Sequence, residues 1–160
     1  MSQNYYLVDN NALIALTRRR VQTAFFAKHC RVTADVLHEA FEHPDRRLLE
    51  TLVEQTTAGV LQRVREVMSS IDVGDTRLVD LYANKGTADP GQIAIVLVHV
   101  TSQAEYLLPD VWTVVSLDQA VLDTADRHHI ATMRPVQLAE LIDATTGASE
   151  KNRTPEGGAN

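Results

Sequence analysis

One stretch near the N-terminus decides the fold: Tyr5-Tyr6-Leu7-Val8-Asp9-Asn10-Asn11-Ala12-Leu13-Ile14. An apolar run of strand-forming residues stops at Asp9, and after two amides an apolar pattern with helical spacing begins. Ligands of open α/β sheets bind just beyond the carboxyl ends of the strands, so an acid at this point is placed to meet a metal or a substrate. Asp9 could equally cap the following helix through its side chain.

The remaining chain repeats this change from strand to helix. Strands are predicted at residues 30–33, 111–116 and 130–133, and each is followed by a helical pattern. Such alternation indicates a three-layer α/β/α sandwich with a short, mainly parallel sheet and helices on both faces. We expect one domain over residues 1–146 and a disordered polar tail over residues 147–160, which is rich in glycine and polar residues.

The helical assignments rest on periodicity and on turn residues. A long helix is predicted from Pro44 to Thr57, because Leu48, Leu49, Leu52 and Val53 fit a period of 3.6. The apolar run over residues 93–100 suits either a buried strand or a buried helix, and its length favours the helix. Further helices are predicted at residues 12–16, 21–28, 34–41, 60–68, 75–83, 120–128 and 135–144.

Composition limits the class of protein. The formal net charge of −6 argues against nonspecific binding of nucleic acid over the whole surface, although basic residues can still cluster locally. Cys30 is the single cysteine, which excludes an internal disulfide and fits a reducing compartment. With no visible signal peptide and no apolar run long enough to cross a membrane, we expect a cytoplasmic protein without membrane contacts.

Four carboxylates fall where strands end or helices begin, namely Asp9, Glu39, Asp89 and Asp118. In a parallel sheet these points share one edge. Two carboxylates at about 4 Å repel by roughly 4 kcal/mol at an effective dielectric of about 20, so a cluster of four needs a cation. Oxygen ligands suit a hard divalent ion, and Mg²⁺ or Mn²⁺ is expected.

The segments that carry these acids resemble the four acidic motifs of the PIN-domain nucleases, in order and in spacing, over about residues 5–143. They are Val8-Asp9-Asn10-Asn11-Ala12-Leu13, Ala34-Asp35-Val36-Leu37-His38-Glu39, Ala88-Asp89-Pro90-Gly91-Gln92-Ile93-Ala94 and Val115-Ser116-Leu117-Asp118. Asp89-Pro90 is not the commonest form of the third motif. The fourth motif is often followed by further polar site residues, whereas Val121 comes three positions after Asp118 and only that acid is firm.

The resemblance implies a metal-dependent endoribonuclease of the VapC-like type, the toxin of a type II toxin–antitoxin pair. Asp9, Glu39, Asp89 and Asp118 would be the metal-binding catalytic acids, with Asn11 and Ser116 in support. One or two ions would activate a water for in-line attack on RNA, leaving a 5′-phosphate and a 3′-hydroxyl. The family also implies a cognate antitoxin, which docks near the early helices, and a homodimer.

Other residues have weaker assignments. Arg18, Arg19 and Arg20 form either a solvated face or an edge that contacts RNA phosphates. Asp35 is assigned to helix capping. Phe25, Phe26 and Phe41 are candidates for an apolar groove that receives the antitoxin.

Two other functions are weighed against the nuclease. A non-catalytic PIN-like module that binds RNA or protein is the alternative, and the presence of all four acids argues against it. A phospho-receiver needs a late lysine, and the only lysine after Lys85 is Lys151, in the tail.

Overall fold

The computed structural model describes the backbone of residues 1–71 and 88–151 and the side chains of residues 1–71 and 90–147. These residues form a five-stranded sheet in which every neighbouring pair is parallel. The strands are β1 (Asn4–Val8), β2 (Cys30–Thr33), β3 (Val53–Glu54), β4 (Val111–Val115) and β5 (Ala131–Met133).

Helices connect the strands and flank the sheet. They are α1 (Asn10–Ala15), α2 (Thr17–Val21), α3 (Ala24–His29), α4 (Ala34–Glu39), α5 (Arg46–Glu50), α6 (Ala58–Ser69), α7 (Ala88–Ser102), α8 (Gln119–Arg127) and α9 (Pro135–Lys151).

The strand order β3-β2-β1-β4-β5 places β1 at the centre of the sheet. Because all strands are parallel, their carboxyl ends share one edge, and Asp9 follows the central strand at that edge. The short edge strand predicted at residues 130–133 is present as β5.

Alternation of side chains along the strands divides the core into two halves. Tyr6, Val8 and Val115 pack with apolar residues of α1 to α4 and α9. Leu7 and Val114 pack on the opposite face with residues of α6, α7 and α8. Because successive strand residues point to opposite faces, this alternation builds the three layers, and the expected α/β/α architecture is confirmed.

The predicted helix from Pro44 to Thr57 is wrong. The chain forms the short helix α5 and then β3, whose Val53 and Glu54 pair in register with Val32 and Thr33 of β2. Leu49 and Leu52 are buried as expected, but Leu49 lies in α5 and Leu52 lies in the turn that leads into β3. Pairing with β2 therefore overrides a local pattern that suits a longer helix.

Most other elements follow their predictions. The ambiguous apolar run is helical and lies within α7, and Thr33 caps α4 by accepting the N–H of Val36 at 3.1 Å. The helix predicted at residues 75–83 lies outside the described residues. The last helix runs beyond the predicted domain boundary at residue 146 and ends at Lys151.

Thr17, the first residue of α2, has a φ of 66°, a left-handed conformation that is strained for a β-branched residue. Within the described ranges, no helix combines the length and the apolar character needed to cross a membrane.

Candidate functional site

Asp9 lies at the carboxyl end of the central strand and is only 6% exposed. The backbone N–H of Ala12 donates to its Oδ1 at 2.6 Å, so Asp9 does cap α1. The hydroxyl of Ser116 donates to Oδ2. Burial raises the pKa of Asp9 and the charge of Asp118 raises it further, while the bonds from Ser116 and Ala12 lower it. The carboxylate of Asp9 therefore caps α1 and also lies close enough to Asp118 to be affected by its negative charge.

Ser116 joins the ends of two neighbouring strands. It is fully buried, it donates to Asp9, and its Oγ accepts the backbone N–H of Asp118 at 3.0 Å. Asp118 is exposed and caps α8 by accepting the N–H of Ala120 at 2.8 Å. A single hydroxyl thus fixes the positions of Asp9 and Asp118 relative to each other.

Glu39 adds a further negative charge near Asp9, from the helix α4 that follows β2. It is the last residue of α4, one turn after Asp35. Burial raises the pKa of Glu39, and the negative charges of Asp35 and Asp9 raise it further, against a lowering by His38. The assignment of Asp35 to capping is wrong, because the side chain of Thr33 caps α4 and Asp35 lies within its first turn.

The third acidic segment begins α7, which lies beside α4. Asp89 is the second residue of α7, and the structure describes its backbone but not its side chain. Asp35 Oδ2 lies 3.7 Å from the position that a Cβ on Gly91 would take. The first turn of α7 therefore adjoins the first turn of α4. Gln92 follows, fully buried, and its amide oxygen and nitrogen have no hydrogen-bond partner among the described residues.

The donor set suits a hard divalent cation. It consists of carboxylate oxygens, the ligand type that Mg²⁺ and Mn²⁺ prefer. Among residues 1–71 and 90–147, no three His, Cys, Asp or Glu side chains lie close enough to hold one ion. Mg²⁺ commonly takes one or two carboxylates and completes its shell with waters and substrate phosphates, so its chemistry does not require three protein ligands.

Asn11 is placed differently from Ser116. Its side chain is exposed on α1 and makes no hydrogen bond to another described residue, so no contact ties it to Asp9. Asn11, two positions after Asp9, therefore makes no contact that supports the site, whereas Ser116, two positions before Asp118, does.

The basic run of α2 is engaged with structural acids at two of its three positions. Arg18 pairs with Asp45 at 3.1 Å, and Arg20 binds both oxygens of Asp143, the shorter contact being 2.7 Å. These pairs attach α2 to the segment before α5 and to α9. Arg19 is exposed and has no ion pair with a described residue.

The proposed apolar groove is not formed by all three phenylalanines. Phe26 is fully buried in the core, and Phe25 is partly buried beside Tyr6. Phe41 alone is largely exposed, with the guanidinium of Arg46 over its ring. Phe26 therefore stabilises the fold and is not available to a partner.

Sequence reasoning missed Arg134, which directly follows β5 at the carboxyl edge of the sheet. Its guanidinium donates to the carbonyl oxygen of Leu117 at 2.7 Å and to the side chain of Gln119, the residues on either side of Asp118. The rule that found the acids, that residues after strands face one edge, would also have found this arginine.

Comparison of the sequence with models of known protein families and with curated proteins finds no match.

Proposed function

We propose that this protein is an endoribonuclease that depends on Mg²⁺ or Mn²⁺ and uses Asp9, Glu39, Asp89 and Asp118. One observation carries the proposal: the buried carboxylate of Asp9 is held by Ser116 within the electric field of Asp118 and Glu39. A buried charge among like charges is costly unless a cation compensates it. Perturbed carboxylates at a sheet edge are typical of functional sites.

The chain supplies position and charge. Asp9 and Asp118 would hold the ion, while Glu39 and Asp89 complete the negative side of the site. Bound there, Mg²⁺ supplies a positive charge that polarises the scissile phosphate and lowers the pKa of an attacking water. Ser116 keeps the carboxylate of Asp9 in one orientation, a role that commonly affects metal sites strongly.

RNA as substrate, the toxin role and the partners rest on the resemblance to PIN-domain nucleases. On that basis we propose a VapC-like toxin that acts in the cytoplasm, forms a homodimer and is held by a cognate antitoxin. The single cysteine, Cys30, fits the reducing compartment of this proposal, because the chain can form no internal disulfide.

A non-catalytic module that binds RNA or protein is the second candidate. The observation that favours it is the absence of any group of three potential metal ligands within the part of the chain whose side chains are described. Such a module would keep the fold and its capping acids without a bound ion. The two functions differ in whether RNA is cut.

The test is cleavage of labelled single-stranded RNA by the purified chain with Mg²⁺, with Mn²⁺ and with EDTA. We expect cleavage with either ion and none in EDTA, with products that carry a 5′-phosphate. Asp9→Asn and Asp118→Asn should lower the rate by about 100-fold or more, the size of effect seen when one charge-stabilising group is removed.

Glu105→Gln is the matched control, because Glu105 is exposed between α7 and β4, at the opposite edge of the sheet. It should cleave as the wild type does. Equal cleavage by wild type and Asp9→Asn would overturn the assignment. RNA binding without any metal-dependent cleavage would support the non-catalytic module instead.

A further inference from the structure

A groove of about 360 Å³ begins one residue beyond Asp118 and is formed by α8, the end of β5 and the start of α9. Its walls include Gln119, Asp123, Asp126, Arg134 and Gln137. A volume of this order is typical of small-molecule sites. None of the four acidic segments contributes an acid to it, so the groove is a feature separate from the candidate metal site.

Arg134 gives one end of the groove a fixed positive charge. Its guanidinium is anchored by two uncharged acceptors, the Leu117 carbonyl and the Gln119 side chain, and the backbone N–H of Arg134 donates to Gln137 Oε1 at 2.9 Å. It forms no ion pair with any described acid, whereas Arg18, Arg20 and Arg46 each pair with a carboxylate. A half-buried, oriented guanidinium without a counter-ion is suited to bind a phosphate.

The α8 wall has the opposite character. Gln119 donates to Asp123 Oδ1 at 2.7 Å, which fixes that side chain and leaves Oδ2 available. Asp126, one turn further along, is exposed and its carboxylate bonds to no described residue. These two acids would repel a phosphate but accept hydrogen bonds from an amino or imino group.

We propose that this groove binds a guanine nucleotide of the RNA next to the scissile bond, with the phosphate at Arg134 and the base edge at Asp126 and Asp123. Naming RNA as the source rests on the proposed function. The groove adjoins Asp118 through Gln119, so a nucleotide held there is continuous with a phosphate at the acids.

Guanine fits the acidic wall because it presents adjacent N–H donors, which one carboxylate can accept together. Uracil presents one imino donor between two carbonyl oxygens, and those oxygens face repulsion from the same carboxylate. Hydrogen bonds to the Watson–Crick edges of unpaired bases are a usual source of sequence specificity for single-stranded RNA.

The test is titration of the ¹⁵N-labelled full chain in EDTA with GMP, UMP and inorganic phosphate, followed by backbone amide shifts. We expect GMP to move the amides of Gln119, Arg134 and Gln137 and to bind at least about tenfold more tightly than UMP, as two charge-assisted hydrogen bonds predict. Arg134→Gln should weaken both nucleotides and phosphate, whereas Asp126→Asn should weaken GMP alone.

Asp126→Asn changes an exposed side chain without a partner, so its fold should be intact even if Arg134→Gln disturbs the loop after Leu117. Glu105→Gln is the control, because Glu105 is exposed at the opposite edge of the sheet, and it should bind GMP as the wild type does. Equal binding of GMP and UMP, shifts elsewhere in the chain, or no effect of Asp126→Asn on GMP would each overturn the proposal.

The experiment separates this inference from the nuclease assignment, because it uses no metal and involves no cleavage. Guanine-selective binding without nuclease activity would support the proposed ligand of the groove and contradict only the proposed reaction. Metal-dependent cleavage of RNA by a chain whose groove does not bind GMP would support the nuclease assignment and contradict the proposed ligand of the groove.

Discussion

Replacement of Asp9 by asparagine or by alanine separates its charge from its hydrogen bonds. Burial and the charge of Asp118 raise the pKa of Asp9 above its ordinary value of 3.8. The folded chain therefore binds this proton more tightly than the unfolded chain does. Without metal, the contribution of Asp9 to stability therefore falls as pH rises from 3.8 through the pKa of the folded state. Above that pKa, the full cost of burying the ionised carboxylate lowers the free energy of unfolding.

Asparagine removes the charge but keeps an oxygen for the N–H of Ala12 and gains an amide that can donate to Ser116. Alanine removes both contacts. Loss of a cap costs about 1 kcal/mol, and a buried hydroxyl left without its partner costs about 1–3 kcal/mol. Since a domain of this size changes its Tm by about 2–4 °C per kcal/mol, Asp9→Ala should melt roughly 4–16 °C below Asp9→Asn.

The assay is thermal unfolding by circular dichroism in EDTA between about pH 4 and about pH 8, where the linkage acts. We expect the Tm of Asp9→Asn to rise relative to the wild type as pH increases. Asp45 and Asp143 are present in both proteins, so their opposite pH dependence cancels in the difference. The charge of Asp9 also raises the pKa of Glu39, so its loss in Asp9→Asn shifts the difference in Tm in the same direction. A difference in Tm that is constant with pH, or equal melting of the two variants, would refute the reasoning.

Two further predictions address the supporting hydroxyl and the strained turn. Ser116→Ala should lower the affinity for Mn²⁺, measured by calorimetry, by about 10–100-fold, because Ser116 orients Asp9, and an unchanged affinity would remove that role. Thr17→Gly should raise the free energy of unfolding by up to about 1 kcal/mol in urea, because relief of the left-handed strain exceeds the entropy cost of glycine. Thr17→Ala keeps a Cβ and is the control; a larger gain for alanine than for glycine would contradict the strain argument.

The central part of the fold could be predicted because its signals are local. Strand β1, Asp9 and the following helix are encoded by ten consecutive residues, and β2 and β4 have similar boundaries in sequence and structure. Strand β3 could not be predicted, because Val53 and Glu54 form a strand only through their pairing with Val32 and Thr33, a contact that no local period reveals.

The same distinction applies to the candidate site. The position of Ser116 beside an acid at a strand end is visible in the sequence, and the structure adds its bond to Asp9. The partners of the basic run are not visible, because Asp143 lies 123 residues from Arg20. Arg134 follows the short edge strand β5, a position that is visible in the sequence, and the structure adds its contacts with Leu117 and Gln119 on either side of Asp118.

If the acids at the carboxyl edge of the sheet hold a catalytic metal, Mn²⁺ soaked into crystals of the protein should bind there and be visible by anomalous diffraction. We expect an anomalous peak in contact with Asp9 and Asp118, with Asp89 or Glu39 beside it, and no such peak in Asp9→Asn crystals. Crystals that hold no Mn²⁺ at this edge, or the same peak in wild type and Asp9→Asn, would contradict it.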